Sequence, residues 1–295
     1  MHPALSIIIF TTISGLGFGL FVWLGLGQVA EGARLVTGLV AFALSSAGLL
    51  SSTFHLGHPE RAWRALSQWR SSWLSREGIM AIATLGIAFA WWASGYVPVA
   101  GYLLAATAFV TVYTTSMIYA QMQSVQQWNT PLTPAVFLLL ALAGGGLLAA
   151  IANAIAALNS MLLLKLVAAL LLLAWAAKFG WWQRANGDIE LSDAASATQL
   201  GSSGEVRLFE SPHSGSNYLL NEMGFRVGRK HARALRRIAF IAGGALPILL
   251  VTGAMLYGEI AAHLLFALML HVVGLFAERW LFFAEARHAV MSFYE

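Results

Sequence analysis

The sequence predicts an all-α integral membrane protein, a bundle of eight transmembrane helices, and three observations predict it. Of 295 residues, 59% are hydrophobic and 10% charged, whereas a soluble domain carries about 25% charged residues. The apolar residues fall in long runs without alternating polarity, which excludes barrel strands and leaves helices. Cations gather in two of the connections between the runs and avoid the others.

Taken in order, the first run, 4–27, lacks a basic leading region and is too long for a signal-peptide core, so it reads as a retained span. Gly15 and Gly19 within it form a small-xxx-small pair suited to helix packing. The second run, 33–54, leads into His55, and the third, 78–94, follows Glu77. Consecutive membrane helices run antiparallel, so His55 and Glu77 share one membrane face and a similar depth. Position alone leaves two readings open: both sit among headgroups, or both do proton chemistry. Between them Pro59 is placed to open a short helix, ERAWRALSQWR, whose Leu66, with Trp63, Trp69 and Trp73, anchors it at the interface.

The fourth and fifth runs are 99–121 and 133–155, with Gly144–Gly146 in the fifth allowing close helix contact. The sixth, 158–182, holds Lys165 and Lys178, the latter able to snorkel to the interface. The seventh and eighth are 237–257 and 260–284. Glu259, His263, His271, Glu278 and Arg279 lie in or beside the last. Lys165 and Glu259 enter from the same face, and their pairing reads equally as a structural ion pair or as part of a proton path. His263 and His271 lie on one helix, whereas two histidines from different helices are the usual grip on a b-type haem. A lone membrane histidine more often hydrogen-bonds to a neighbouring helix, so haem is not favoured.

An even number of spans puts both termini on one side. That side holds the segment 55–77, with Arg61, Arg64, Arg70 and Arg76. It also holds the segment 183–236, with Arg184, Arg207, Arg226, Arg229, Lys230, Arg233 and Arg236. The opposite connections have only Arg34 nearby. The positive-inside rule therefore places termini and large loops in the cytoplasm, as for a bacterial inner-membrane protein. The loop 183–236 suits either anionic lipid or a docked partner, and its length exceeds what a hairpin between helices needs. The whole chain, 1–295, reads as one domain with that loop as a partner-docking insertion.

The chain contains no cysteine, so it holds no cysteine-ligated iron–sulfur cluster and no thioether-attached haem. Arg279, Phe282 and Phe283 lie near the depth of His55 and Glu77, which would give one pocket aromatic walls, a cation and two proton-exchanging groups. A quinone needs that combination, because its flat ring wants apolar walls and its reduction couples two electrons to two protons.

The motif His55-Leu56-Gly57-His58-Pro59-Glu60-Arg61-Ala62, followed by Leu74-Ser75-Arg76-Glu77, resembles the membrane-anchor subunit of the dimethyl sulfoxide reductase family. That family lies within the wider group of polysulfide- and nitrite-reductase anchors. The opening HPALSIIIFTTISG and the late RWLFFA extend the resemblance over all eight spans. It implies that His55 and Glu77 bind quinone and handle its protons, with Arg61 and, by a looser match, Arg279 beside them. It implies partners too: an iron–sulfur subunit and a molybdopterin catalytic subunit, which hold the redox centres, while the anchor is haem-free and binds no metal. The reading HLGHPERAW and the enlarged loop with FESPHSGSNYLLNEM look more like the anchor of the cytoplasmic sulfite-oxidising molybdoenzyme. The expected function is electron transfer from sulfite, through the partners, to ubiquinone or menaquinone. The alternatives are a quinol-oxidising anchor of the dimethyl sulfoxide type and, in another class, a stand-alone ion-coupled transporter using Lys165, Glu259 and His263. No nucleic-acid partner is expected.

Overall fold

The computed structural model describes residues 3–54, 58–158, 160–187, 195, 198–201, 204–206, 209, 227–257 and 261–289. His55 and Glu259 lie outside the described residues, as does most of the loop 183–236. Among the described residues there is no strand, and eight helices are long and apolar enough to span a membrane. They are α1 (Leu5–Gly25), α2 (Glu31–Thr53), α3 (Trp73–Ala93), α4 (Pro98–Ala120), α5 (Leu132–Ile155), α6 (Met161–Asn186), α7 (His231–Tyr257) and α8 (Ala261–Ala284).

Three boundaries differ from the sequence expectation in ways that matter. Helix α3 starts at Trp73 rather than at 78, because the Ser72 hydroxyl caps it, accepting from the Ser75 backbone N–H. Glu77 therefore belongs to the opening turns of a helix and is not the last residue of a loop. Helices α6 and α7 both reach into the segment read as a loop, α6 running on to Asn186 and α7 starting by His231. The segment Pro59–Gln68 is helical, as Pro59 suggested, but wound as a tight 3₁₀ helix. Its Leu66 packs against Gly78, and the Ser75 hydroxyl donates to the Ala65 carbonyl, so it is fastened to the start of α3. Trp63 and Trp69 remain exposed at its surface, as an interfacial anchor requires.

Helix α1 is apolar all round and buried from Leu16 to Gly25, which makes it the central helix. It packs on α2, α4 and α5, while α8 packs on α5 and α7. Its close approach to α5 rests on glycine: a Cβ at Gly19 would overlap the Ala141 carbonyl, and one at Gly145 would overlap the Gly19 backbone. Large side chains such as Leu39, Ile82, Phe89, Leu172 and Phe266 stay exposed on the perimeter, where lipid would cover them.

The helices alternate in direction. Near the start of α1 the Ser51 hydroxyl at the end of α2 donates to the Ser6 carbonyl at 3.0 Å, and Trp128 Nε1 donates to the Phe282 carbonyl at the end of α8 at 2.9 Å. This near end gathers the starts of odd helices and the finishes of even ones. At the far end Asn153 ties α5 to the α1–α2 connection, donating to the Gln28 carbonyl at 2.9 Å and accepting from the Ala30 N–H at 2.8 Å.

Two helices contain one wide π turn each, Phe10–Ser14 in α1 and Ile241–Ala245 in α7. Such turns hold one residue more than the α-helix and release backbone groups to other partners. In α7 the Gly243 carbonyl accepts from Trp175 Nε1 at 2.9 Å and from His271 Nδ1 at 2.6 Å. In α1 the turn presents Thr11, Thr12 and Ser14 to the interior.

Candidate functional site

The charged side chains buried in the bundle collect at its near end. Glu77 is 4% exposed and accepts a hydrogen bond from Thr115 Oγ1 of α4 at 2.5 Å. Ala81, Thr84, Ala88 and Trp91 continue the same inward stripe along α3, and Thr84 and Thr111 join hydroxyls at 3.0 Å. The carboxyl is held there because the helical repeat that buries the alanines turns Glu77 inward too. Tyr119, one turn on from Thr115, is buried within electrostatic reach of both Glu77 and Arg279.

Arg279 is 3% exposed. Its guanidinium carbon lies 3.6 Å from the centre of the Phe137 ring, and its Nη1 lies 2.9 Å from Glu278 Oε2. Glu278 turns its other oxygen, Oε1, to Lys178 Nζ of α6 at 2.5 Å. Lys178 does not snorkel: at 1% exposure it is among the most buried side chains, its ammonium 3.9 Å above the Trp181 ring. The sequence expectation fails because Glu278 and that ring engage the ammonium inside the bundle. Two cations on one carboxylate leave this triad one negative charge short, an expensive arrangement without hydrogen-bonding surroundings.

Next to the triad, at the finish of α8, Glu285 is paired with Arg236 of α7 at 2.8 Å, and Arg236 also donates to Asn186 Oδ1 at 2.9 Å. Burial pushes the Glu285 carboxyl above the usual carboxylate range, and Arg236 opposes that rise. Lys178 and Glu278 both act on Glu285 electrostatically, so the pair at the rim and the buried triad form one charged chain.

Between Glu77 and the triad lies a mostly apolar cavity of about 20 Å³, its polar lining being Thr11, Thr12, Ser14, Thr115 and Arg279, with Phe137 and Leu140 among the rest. The π turn of α1 supplies its hydroxyls. That volume is room for one water molecule, not for an aromatic ring. The rings beside it are already packed on one another, Trp128 stacked on Phe282 at 5.1 Å and Tyr119 edge-on to Phe282 at 5.5 Å.

Of the residues singled out in the sequence, Arg279 lines the cavity, and Glu77 stands behind its wall, hydrogen-bonded to the lining Thr115. Arg61 is not part of that cluster. It lies on the exposed face of the 3₁₀ helix with its guanidinium 3.7 Å from Glu60. His55, which lies outside the described residues, adjoins the end of α2 in sequence. His271 spends Nδ1 on the Gly243 carbonyl, a bond between helices of the kind expected for a lone membrane histidine. Lys165 is exposed on the outside of α6. Among the described residues no three His, Asp or Glu side chains form a group able to hold a metal ion.

Sequence reasoning missed the Lys178–Glu278 contact and the roles of Thr115 and Tyr119. One signal was present: a lysine near the finish of the sixth run and a glutamate near the finish of the eighth stand at equal depth on parallel helices.

Comparison with known proteins fits this architecture. Residues 1–284 match the family model described as DMSO reductase anchor subunit (DmsC). The chain is also 33% identical to a sulfite dehydrogenase subunit of Allochromatium vinosum, over 100% of this chain and 99% of that protein. No solved structure matches. A match over eight spans, with a buried carboxyl and a buried arginine at one end of them, makes the chain a member of the DMSO reductase anchor subunit family.

Proposed function

We propose that this anchor passes electrons between an iron–sulfur partner subunit and membrane quinone, in a complex whose molybdopterin subunit oxidises sulfite. The observation that carries the quinone reading is Glu77, a buried carboxyl hydrogen-bonded to Thr115 beside a cavity that Arg279 also lines. A buried carboxyl with one hydroxyl donor and a route to a cation is equipped to exchange protons with a reacting group at the membrane edge. The resemblance to the sulfite dehydrogenase subunit of Allochromatium vinosum along its whole length supports sulfite as the electron source.

Quinone, as ubiquinone or menaquinone, supplies two-electron, two-proton chemistry. The donor set fits its carbonyl oxygens, but the cavity does not fit its ring, so in this reading the ring stays on the lipid side of the site. In this reading Glu77 and His55 exchange protons with the carbonyl oxygens, Thr115 holds the Glu77 carboxyl, and Arg279 sets the local field. Arg61 serves the surface of the 3₁₀ helix, beside the route of approach.

The near end faces the cytoplasm in this reading, because Arg61, Arg64, Arg70, Arg76, Arg184, Arg233, Arg236 and Arg237 lie there, whereas among the described residues Arg34 and Lys165 are the Lys and Arg side chains toward the far end. The bilayer is the bacterial inner membrane. The loop 183–236 then stands on the cytoplasmic side as the docking insertion for the iron–sulfur subunit. The family model itself favours a second reading, a quinol-oxidising anchor of the dimethyl sulfoxide type, in which the same residues release protons.

The test is Glu77→Gln in the whole complex, purified through a tag on this subunit. Quinone-linked turnover with sulfite should be lost, while sulfite oxidation with a soluble dye persists and reports assembly. Wild-type complex that turns over dimethyl sulfoxide with quinol and not sulfite with quinone would select the second reading.

A further inference from the structure

We propose that the far-end cleft between α2 and α3 binds a phospholipid whose headgroup carries a phosphate and a primary ammonium. The site stands at the opposite end from Glu77 and is independent of the redox reading. Helix α2 packs on α1 and scarcely touches α3, although the two follow one another in the chain. The gap they leave is a chamber of about 280 Å³, floored by Phe21 of α1 and walled by Leu35, Leu39 and Phe42 of α2 and by Ala88 and Phe89 of α3. From Leu35 to Phe42 the helix rises about 10 Å, most of the roughly 15 Å that half a hydrocarbon core provides. The chamber is therefore as deep as an acyl chain of one leaflet requires. Gly38 opens onto it, with nothing within 4 Å of where a Cβ would stand.

A second chamber, of about 300 Å³, lies at the level of the far-end turns, lined by Gly27, Glu31, Gly95 and Pro98 among others. Arg34, Trp91 and Tyr96 line both chambers and form the partition between them. Trp91 and Tyr96 meet edge-on at 4.9 Å, and the Arg34 guanidinium lies 6.0 Å from the Tyr96 ring. Trp and Tyr at this level are the side chains that favour the headgroup region. The partition has donors to spare: the indole N–H of Trp91, a side chain 5% exposed, and Arg34 Nε have no hydrogen-bond partner among the described residues. Arg34 Nη1 lies 3.4 Å from Glu31, longer than a direct hydrogen bond, and the Glu31 side chain is 86% exposed. One cation and one anion thus stand at the mouth, each able to take a new partner. That pair selects the occupant. A zwitterion answers both charges, with its phosphate on Arg34 and its ammonium, which has three N–H donors, on Glu31. An anionic lipid would set like charge beside Glu31, and a quinone has no charge to offer either residue. With apolar walls inward and paired charges outward, the site fits an ethanolamine-type phospholipid of the far leaflet, whose acyl chain fills the gap beside α2.

The experiment is native mass spectrometry of the complex, purified through a tag on this subunit, stripped of lipid and offered ethanolamine, glycerol and choline phospholipids of equal chain length. Gly38→Phe fills the chamber, so wild type should hold one ethanolamine lipid more per copy of this chain than Gly38→Phe does. That lipid should also raise the melting temperature of wild type and not of Gly38→Phe. Arg34→Gln and Glu31→Gln should each weaken its uptake about tenfold, the loss of one charge-assisted hydrogen bond. Glu31→Gln should turn the remaining preference toward the anionic glycerol lipid. Equal uptake by Gly38→Phe and wild type would overturn the site, as would a wild-type preference for the glycerol or choline lipid, or for none of the three. A quinone held there by wild type and released by Gly38→Phe would overturn it too. Monodisperse elution of each variant reports folding. If Arg34→Gln does not assemble, Glu31→Gln, which alters an exposed side chain, and Gly38→Phe decide.

Discussion

Lys178 of α6 and Glu278 of α8 meet at 2.5 Å inside the bundle, 1% and 0% exposed, and the second oxygen of that carboxylate reaches Arg279 at 2.9 Å. The two cations are not equivalent in energy, because only one of them can be balanced by Glu278.

An asymmetry in stability follows. Glu278→Gln strands two buried cations and should cost about 3–5 kcal/mol, the range for removing one partner of a buried pair. Lys178→Met leaves Glu278 and Arg279 balanced and should cost less than about 1.5 kcal/mol, the range of a volume-conserving core exchange. Thermal unfolding of the detergent-solubilised complex, read at this subunit, would show the two separated. Equal losses would mean that the triad is not short of negative charge.

Thr115→Val should mimic a weak form of Glu77→Gln. It removes the hydroxyl that donates to Glu77 at 2.5 Å and keeps the side-chain shape. A hydrogen bond to a charged group contributes about 1.5–3 kcal/mol, so quinone-linked turnover should fall about tenfold or more. Dye-linked turnover is the reference, and an undiminished quinone rate would show that this carboxyl does not work through Thr115.

Packing predicts opposite outcomes at two glycines. Gly145→Ala would drive a methyl into the Gly19 backbone and should destabilise the α1–α5 contact by about 1–3 kcal/mol. Gly86→Ala, in α3 with nothing within 4 Å of the new methyl, should be neutral or stabilise by up to about 1 kcal/mol through helix propensity. Yield of assembled complex and its melting temperature read both.

The Glu285 carboxyl gives a pH dependence. Its folded-state proton affinity is raised by burial, so the folded state binds more protons than the unfolded state between the ordinary carboxylate range and the raised one. Stability should therefore fall as pH rises through that window. Glu285→Gln should flatten the dependence, and Arg236→Gln should widen the window upward by removing the opposing charge. A melting temperature that rises with pH there in wild type, and no longer does in Glu285→Gln, would refute the assignment.

The helices were legible because the bilayer allows few backbone solutions, and an apolar run of about 20 residues admits only one of them. Glu77 was legible as a charge at a span boundary. Its burial was not, because that depends on the Ser72 cap that starts α3 at Trp73 and on the stripe that faces it inward. Lys178 looked like a snorkelling lysine, since the sequence does not say which ring or carboxylate will meet its ammonium. Arg61 was noticed through a motif, whereas its exposure follows from the 3₁₀ winding of Pro59–Gln68, which no motif spells out.

The wide turns of α1 and α7 meter the length of their helices. Excising one residue from Phe10–Ser14 would close the wide turn into a regular helix and leave Leu5–Ile9 in register with the rest of α1. Ile8 would then stay in the interior, while the hydroxyls that share the cavity wall with Arg279 would lose the turn that presents them. A deletion in Ile241–Ala245 would likewise carry the Gly243 carbonyl away from His271. These two short stretches are thus places where losing a single codon should spare the helix and undo its polar contacts, although neither contains a charged side chain.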